Sequence, residues 1–276
     1  MCQALKVGIC LAILCLSLTG CQRQPSRSVS SEIAHMSEAE AKTKLEQYWQ
    51  HAKEEVYKSV PELLAQHQTE LARGLKYRKF IHGDRTKKWI ALTFDDGPHP
   101  DYTPQILSIL KKYGVRATFF VVGKKAEQYP DLVRQQAEAG HSVGNHTFHH
   151  VNLTRIPPID VAAEIKACGE VIQSITGKSP HLFRPPGGDY DRNVAEVAES
   201  LGYWIVLWTD DPGDYANPPE QVLEERLFGR LENGGIILLH DGIAETIQLL
   251  PRLIEYLQAR GFQLVTVDEM IRALPR

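Results

Sequence analysis

Residues 89–98 read Trp-Ile-Ala-Leu-Thr-Phe-Asp-Asp-Gly-Pro, an apolar run that ends at two adjacent carboxylates and a Gly-Pro pair. Such a run predicts a buried strand whose end opens into a turn. In α/β proteins with parallel strands, the chemistry is concentrated at the carboxyl ends of the strands. Turns also prefer Asp, Gly and Pro, so Asp95 and Asp96 gain functional meaning only if other polar groups reach the same place.

The rest of the chain from about residue 88 alternates apolar runs with helical patterns, which predicts repeated βα units and a parallel sheet. The expected strands are 89–94, 117–122, 142–145, 181–184, 204–208, 236–240 and 263–267. About seven units predict an α/β barrel somewhat smaller than the eight-fold one. A doubly wound open sheet is the alternative. No G-x-G-x-x-G follows a predicted strand, which weakens the dinucleotide-binding version of that fold.

The composition is ordinary for a globular protein, with 43% hydrophobic and 24% charged residues among 276. The formal net charge of -3 argues against a nucleic-acid partner, because nucleic-acid-binding proteins normally carry a basic surplus. A polyanionic substrate held by charge is disfavoured for the same reason.

The first twenty residues predict a signal peptide, with Lys6 ahead of an apolar region over 7–18 that is too short to span a bilayer. Residues 18–21, Leu-Thr-Gly-Cys, resemble the lipobox of bacterial lipoproteins, in which the cysteine is lipidated. We therefore expect a lipoprotein signal peptide at 1–20 and a lipid anchor on Cys21. This places the protein in a bacterial cell envelope, on the extracytoplasmic side of a membrane. An ordinary cleaved signal peptide is the alternative. With Cys21 lipidated and the three earlier cysteines removed with the signal, only Cys168 remains, so no intramolecular disulfide is expected.

Two further segments precede the predicted barrel. Residues 21–31 are polar and predict a flexible tether. Residues 32–85 predict a helical extension with an apolar stripe, interrupted at Pro61, that packs on the main domain or pairs helix against helix. The catalytic domain is then expected over 86–276.

Three histidines follow the third predicted strand, and two of them, His146 and His150, have the H-x-x-x-H spacing that lets two imidazoles face one metal ion. The pair Asp95-Asp96 can supply a third, harder ligand. Two histidines and one carboxylate leave positions for water and substrate, as catalytic metal sites do. A solvated histidine cluster is the alternative reading, and His149 leaves the choice of ligands open.

Other polar groups lie at the ends of later strands. Arg184 begins an Arg-Pro-Pro-Gly-Gly run, where a guanidinium can hold a carboxylate through paired hydrogen bonds and a backbone N–H can face a developing oxyanion. Asp214 lies in a polar run after the fifth strand. His240 ends the sixth, where it can act as a general acid whose pKa a nearby carboxylate would raise.

The motifs together resemble those of the NodB-type polysaccharide deacetylases, carbohydrate esterase family 4, from about residue 89 to residue 274. Five motifs appear in the family's order: Thr-Phe-Asp-Asp-Gly-Pro at 93–98, His-Thr-Phe-His-His at 146–150, Arg-Pro-Pro-Gly at 184–187, Asp-Pro-Gly-Asp-Tyr at 211–215 and Leu-Leu-His-Asp at 238–241. The ordered set is far more specific than any one motif. The resemblance implies a distorted (β/α) barrel of seven strands.

The resemblance also implies roles for individual residues. Those expected to catalyse, to orient or to tune are Asp95 as base, His240 as acid, Arg184 beside the base and Asp214 beside the acid. The implied metal ligands are Asp96, His146 and His150, and we expect a divalent metal, with Zn²⁺ as first choice. The implied substrate-binding residues are Gly187, Tyr215 and Leu238.

The sequence departs from the family at two of these positions. The family usually carries an aromatic residue where Gly187 stands and a tryptophan where Tyr215 stands, and both line the sugar groove. The glycine keeps its backbone N–H but predicts a roomier groove. The tyrosine keeps a stacking face and adds a hydroxyl.

The resemblance predicts a metal-dependent hydrolase that removes N-acetyl groups from sugars of a cell-envelope or extracellular polysaccharide. An O-acetyl esterase acting on polysaccharide is one alternative. A non-catalytic carbohydrate-binding lipoprotein is the other, although it would have no use for both a base and an acid.

Overall fold

The computed structural model describes residues 38–53 and 56–274. The helices among them are α1 Glu38–Ala52, α2 Val60–Ala72, α3 Thr103–Tyr113, α4 Gly123–Gln128, α5 Pro130–Glu138, α6 Pro158–Thr176, α7 Arg192–Ser200, α8 Glu220–Leu227, α9 Ala244–Ala259 and α10 Val267–Arg272. The strands are β1 Lys79–Phe80, β2 Trp89–Gly97, β3 Thr118–Val121, β4 Ser142–Asn145, β5 Leu182–Phe183, β6 Trp204–Val206, β7 Gly235–His240 and β8 Gln263–Leu264.

All strand pairs are parallel, and the sheet runs in the order β1-β6-β5-β4-β3-β2-β7. The short β8 pairs with the beginning of β2. Beyond β6, the backbone of Asp210 forms a single bridge with Ile237 of β7, which closes the sheet on itself. The predicted distorted barrel of about seven parallel strands is confirmed, and the open doubly wound sheet is excluded.

The central strand β2 alternates its side chains between two hydrophobic clusters. Ile90, Leu92 and Phe94 pack in a cluster with helices α3 and α9, whereas Ala91 belongs to a second cluster that contains Phe120 and Leu238. Because side chains alternate, Thr93 and Asp95 share the face of Ala91. Asp95 is therefore carried to the mouth of the barrel on that face.

The segment predicted as a helical extension at 32–85 is only partly helical. Helix α2 starts where the Glu62 carboxylate accepts hydrogen bonds from the backbone N–H (2.8 Å) and hydroxyl (2.6 Å) of Ser59, with Pro61 in the first turn. Lys79 and Phe80 then form β1, which pairs with β6. The sheet therefore begins before residue 86, at a two-residue strand that is too short for its periodicity to be read from the sequence.

The largest differences in strand extent are in β8 and β2. Strand β8 covers 263–264 rather than 263–267, because Thr266 caps helix α10 and its hydroxyl accepts the Glu269 N–H. Strand β2 extends to Gly97, beyond the predicted end at 94. The predicted signal peptide, tether and Cys21 lie outside the described residues. Among the described helices, none has the length and apolar character needed to cross a membrane.

Candidate active site

The carboxyl ends of the strands bring the predicted polar groups together at one mouth of the barrel. Asp95 in β2 is the register partner of His240 in β7, and Asn145 at the end of β4 pairs with Phe183, next to Arg184. Residues distant in sequence therefore meet because parallel strands end at the same edge.

Three donor atoms come from Asp96, His146 and His150, and they lie within 4.8 Å of one another. Oδ1 of Asp96 lies 3.3 Å from Nε2 of His146 and 3.0 Å from Nε2 of His150. This oxygen is buried and makes no well-formed hydrogen bond. A buried carboxylate oxygen that faces two imidazole nitrogens can bind a divalent metal. The metal would accept one lone pair from the oxygen and one from each nitrogen.

The first histidine of the set has a defined tautomer. Nδ1 of His146 lies 2.7 Å from the carbonyl oxygen of Arg184, which can only accept a hydrogen bond. Nδ1 therefore carries the proton, and Nε2 presents its lone pair to the donor cluster. The side chain is oriented as a metal ligand requires.

The loop after β4 selects which histidines face the cluster. Thr147 and His150 have positive φ angles of 65° and 56°, so the chain turns tightly instead of forming a helix. The Glu164 carboxylate on α6 accepts hydrogen bonds from the backbone of Phe148 (3.1 Å) and of His149 (2.9 Å), and lies 2.7 Å from Nδ1 of His149. His149, which the sequence leaves ambiguous, is thus tied to a structural partner.

Arg184 is fully buried beneath the site. Its Nη1 donates to Oδ1 of Asp95 and to Oγ1 of Thr93, both at 2.8 Å. The remaining guanidinium donors reach the backbone carbonyls of Val206 and Leu207, at 3.2 and 3.3 Å. Arg184 contacts Asp95 as predicted, but through one hydrogen bond and not a pair, because the other donors are used to fix the guanidinium itself.

His240 and Asp214 form a second buried pair. Nδ1 of His240 lies 2.7 Å from Oδ1 of Asp214, whose Oδ2 accepts from the His240 backbone N–H (2.7 Å) and from the Thr246 hydroxyl (2.5 Å). Burial by itself would lower the pKa of His240, but the charge and hydrogen bond of Asp214, with Asp96 and Asp95 nearby, raise the pKa to about 9. These interactions favour the protonated form of the His240 imidazole.

The three predicted substrate-binding residues have different surroundings. Leu238 is buried below His240. The Tyr215 ring meets the His240 ring edge-on, with centroids 5.3 Å apart. Above Gly187 the predicted extra room is absent, because the Val56 carbonyl fills the space that a side chain would occupy.

Sequence reasoning missed two residues that support the site. Thr93 shares Nη1 of Arg184 with Asp95, and Nζ of Lys125 donates to the Asp96 carbonyl at 2.7 Å. Thr93 could have been found from strand alternation, which places it on the face of Asp95. Lys125 follows the next strand and had no motif to mark it.

The barrel mouth thus combines a donor set for a metal, a carboxylate fixed by an arginine and a histidine charged by an aspartate. Such a combination can offer a metal, a proton acceptor and a proton donor to one reacting bond. The family model described as "Polysaccharide deacetylase" matches residues 82–206 of the chain.

Relatives extend this match over most of the barrel. The chain is 38% identical over 191 residues to a peptidoglycan-N-acetylglucosamine deacetylase of Bacillus cereus, covering 67% of this chain and 89% of the relative. It is 36% identical over 190 residues to a chitooligosaccharide deacetylase of Azorhizobium caulinodans, covering 63% of this chain and 90% of that one. The crystal structure of the Bc1960 peptidoglycan N-acetylglucosamine deacetylase aligns with a TM-score of 0.69 at 31% identity, covering 73% of this chain and 95% of that chain.

The chain belongs to the polysaccharide deacetylase family, which confirms the resemblance seen in the motifs. It is an enzyme of the class that hydrolyses carbon–nitrogen bonds other than peptide bonds. Members of the family depend on a metal, and the cluster of Asp96, His146 and His150 is a possible site for it.

Proposed function

We propose that the protein removes N-acetyl groups from N-acetylated sugars in a polysaccharide of the cell envelope. The observation that carries the proposal is the metal-donor cluster of Asp96, His146 and His150, next to the Arg184–Asp95 pair and the Asp214–His240 pair. Relatives named for peptidoglycan and chitooligosaccharide deacetylation support an N-acetylated glucosamine unit as the reacting sugar.

A divalent cation bound there, which we propose to be Zn²⁺, would polarise the acetamide carbonyl and lower the pKa of the attacking water. Asp95 takes the proton from that water. Its Oδ1 is occupied by Arg184, so Oδ2, which lies 3.8 Å from Nε2 of His146, is the oxygen directed toward the donor cluster. Arg184 holds the carboxylate in one orientation.

His240 supplies the proton for the leaving amine. Without it the leaving group would be a strongly basic amide anion. Nδ1 of His240 is held by Asp214, so Nε2 is the nitrogen that can donate to the sugar nitrogen. The Gly187 backbone N–H is our candidate donor to the carbonyl oxygen as negative charge develops on it.

Acetate release tests the proposal directly. The purified protein is incubated with N-acetylglucosamine oligomers, peptidoglycan fragments and O-acetylated xylan, with and without a chelator, and the masses of the products are measured. We expect loss of acetyl groups from the N-acetylated substrates, abolished by the chelator and restored by Zn²⁺. Release from the xylan ester alone would establish the O-acetyl esterase instead.

We also propose that the mature protein is held at a membrane, on the extracytoplasmic side of a bacterial envelope, by lipid on Cys21. The support is the Leu-Thr-Gly-Cys sequence at 18–21 behind a short apolar region. Residues 21–31 would then separate the anchor from the barrel.

A further inference from the structure

The segment Val56-Tyr57-Lys58, here called the strap, crosses the mouth of the barrel between α1 and α2. The Lys58 backbone N–H donates to the Gly187 carbonyl at 2.9 Å, and the Ala52 carbonyl accepts from the Asn152 N–H at 2.7 Å. The Gly187 carbonyl and the Asn152 N–H both lie on loops that carry site residues. The end of α1 therefore contacts the loop that follows His150, and the strap contacts the loop of Gly187.

The strap can occupy its position only because residue 187 has no side chain. A Cβ on Gly187 would overlap the Val56 carbonyl oxygen and would lie 3.4 Å from Cα of Tyr57. Gly187 also has a φ of 61°, which favours glycine. The backbone of the strap thus occupies the wall position that a side chain at 187 would otherwise take.

A clamp keeps the strap in place. Nζ of Lys58 lies 2.9 Å from Oδ1 of Asp189, and the two side chains are 22% and 14% exposed. Oδ2 of Asp189 accepts from Asn152 at 3.1 Å and from Thr154 at 2.9 Å. Burial would raise the pKa of Asp189, but Lys58 and these donors lower it, so the carboxylate stays charged. Such anchoring suits a fixed wall better than an opening lid.

Tyr57 is the side chain that the strap presents to the mouth. Its ring stacks on Tyr215 with centroids 4.6 Å apart and planes at 6°, and Tyr215 in turn meets His240. Val56 and Tyr57 also line a small pocket with His150, Pro186 and Gly187. Tyr57 remains 36% exposed, so part of the ring is accessible beside the donor cluster.

We propose that Tyr57 is a substrate-binding residue, and that the strap forms the wall of the groove on which the sugar next to the acetylated one is bound. The inference rests on the proposed function. Pyranose rings present an apolar C–H face between polar edges, which matches an aromatic ring with a hydroxyl at its tip. Because Tyr57 covers one face of the Tyr215 ring, the sugar would bind to Tyr57 instead of that face of Tyr215.

Kinetics on a pentamer and a monomer of N-acetylglucosamine test this assignment. Tyr57→Ala should raise KM for the pentamer about three- to tenfold, more than it changes kcat, because an aromatic contact to the bound sugar is lost. The effect should be smaller on the monomer, which lacks the neighbouring sugar. Tyr57→Phe keeps the ring and should stay close to the wild type.

Tyr113→Ala is the matched control, since Tyr113 ends α3 and donates to Glu255 at 2.6 Å, outside the site. It should leave KM unchanged. Lys58→Ala loosens the clamp and should raise KM for the pentamer in the same direction, which provides a second variant if Tyr57→Ala folds poorly.

Two results would overturn the inference. An unchanged pentamer KM in both Tyr57→Ala and Lys58→Ala would make the stacking purely structural. A lower KM or a higher kcat would make the strap an obstruction. Calorimetric titration with the pentamer separates this inference from the proposed function. Tyr57-dependent binding without acetate release would leave the inference standing while the proposed function fails, and acetate release with binding unchanged in Tyr57→Ala would end the inference alone.

Discussion

At the scale of single residues, Asp95 and Asp96 are neighbours with the same side chain and different surroundings. Asp95 is held by Arg184, whereas Asp96 faces two imidazole nitrogens. Asp96 has a φ of 69°, which turns the chain between the two carboxylates. The proposed roles of base and metal ligand therefore predict different defects.

Asp96→Asn should weaken metal binding, because a neutral amide is a poorer ligand for a hard divalent cation. We expect a substoichiometric metal content and partial recovery of acetate release in excess metal. Bound metal is measured by elemental analysis beside kcat at several metal concentrations. A variant full of metal yet inactive would contradict the ligand role.

Asp95→Asn should retain its metal and lose catalysis. The amide has the shape of the carboxylate but cannot accept the proton from water, so kcat should fall by about 10²- to 10⁴-fold. Added metal should not help, and the same elemental analysis checks this. Recovery by metal would mean that the roles of the two carboxylates are exchanged.

Asp214→Asn should move the alkaline limit of activity to lower pH. A general acid must be protonated to act. The pKa of His240, about 9 beside Asp214, sets the pH above which His240 loses its proton and activity falls. Without the anionic neighbour this pKa falls, and activity is lost at lower pH. The pH profile of kcat/KM measures the shift, and an unchanged profile would remove Asp214 from the mechanism.

At the scale of elements, helix α2 packs against the barrel. Leu63 is fully buried and lies near Gly188, and Glu70 forms an ion pair with Lys79 of β1, which also donates to the Tyr190 hydroxyl at 2.8 Å. The helix thereby fixes the second end of the strap.

Leu63→Ala should lower the free energy of unfolding by about 2–5 kcal/mol, because it leaves a cavity between α2 and the barrel. Leu64→Ala is the matched control, since that side chain is 40% exposed and its loss should change stability by less than about 0.5 kcal/mol. Urea unfolding of both variants measures the difference. Equal stabilities would mean that α2 is not docked as described.

Strands that carry an apolar run were predictable from the sequence, whereas strand β1 was not. Strand β4 coincides with its prediction at 142–145, and the end of β7 at His240 was also predicted. Strand β1 has only two residues, and their pairing with β6 depends on contacts distant in sequence. Within the site, H-x-x-x-H spacing could not separate His149 from His150, because the choice is made by positive φ angles and by Glu164. The stacking of Tyr57 on Tyr215 likewise leaves no pattern in the sequence.

At the scale of the whole molecule, the anchor proposed for Cys21 would restrict the enzyme to polymer within reach of a membrane. Cys21→Ala should release the protein from the membrane fraction, because lipid chains on this cysteine would provide the attachment. Fractionation followed by immunoblotting measures the distribution. Unchanged membrane retention would show that Cys21 is not the anchor.

Arg184 connects the two halves of the site through different parts of one residue. Its carbonyl oxygen orients His146, and its guanidinium orients Asp95. The main chain thus orients the proposed metal ligand and the side chain orients the proposed base, so the two proposed functions can be lost separately. A change of side chain at 184 spares the ligand geometry, whereas a shift of the backbone at the following prolines would misalign ligand and base at the same time.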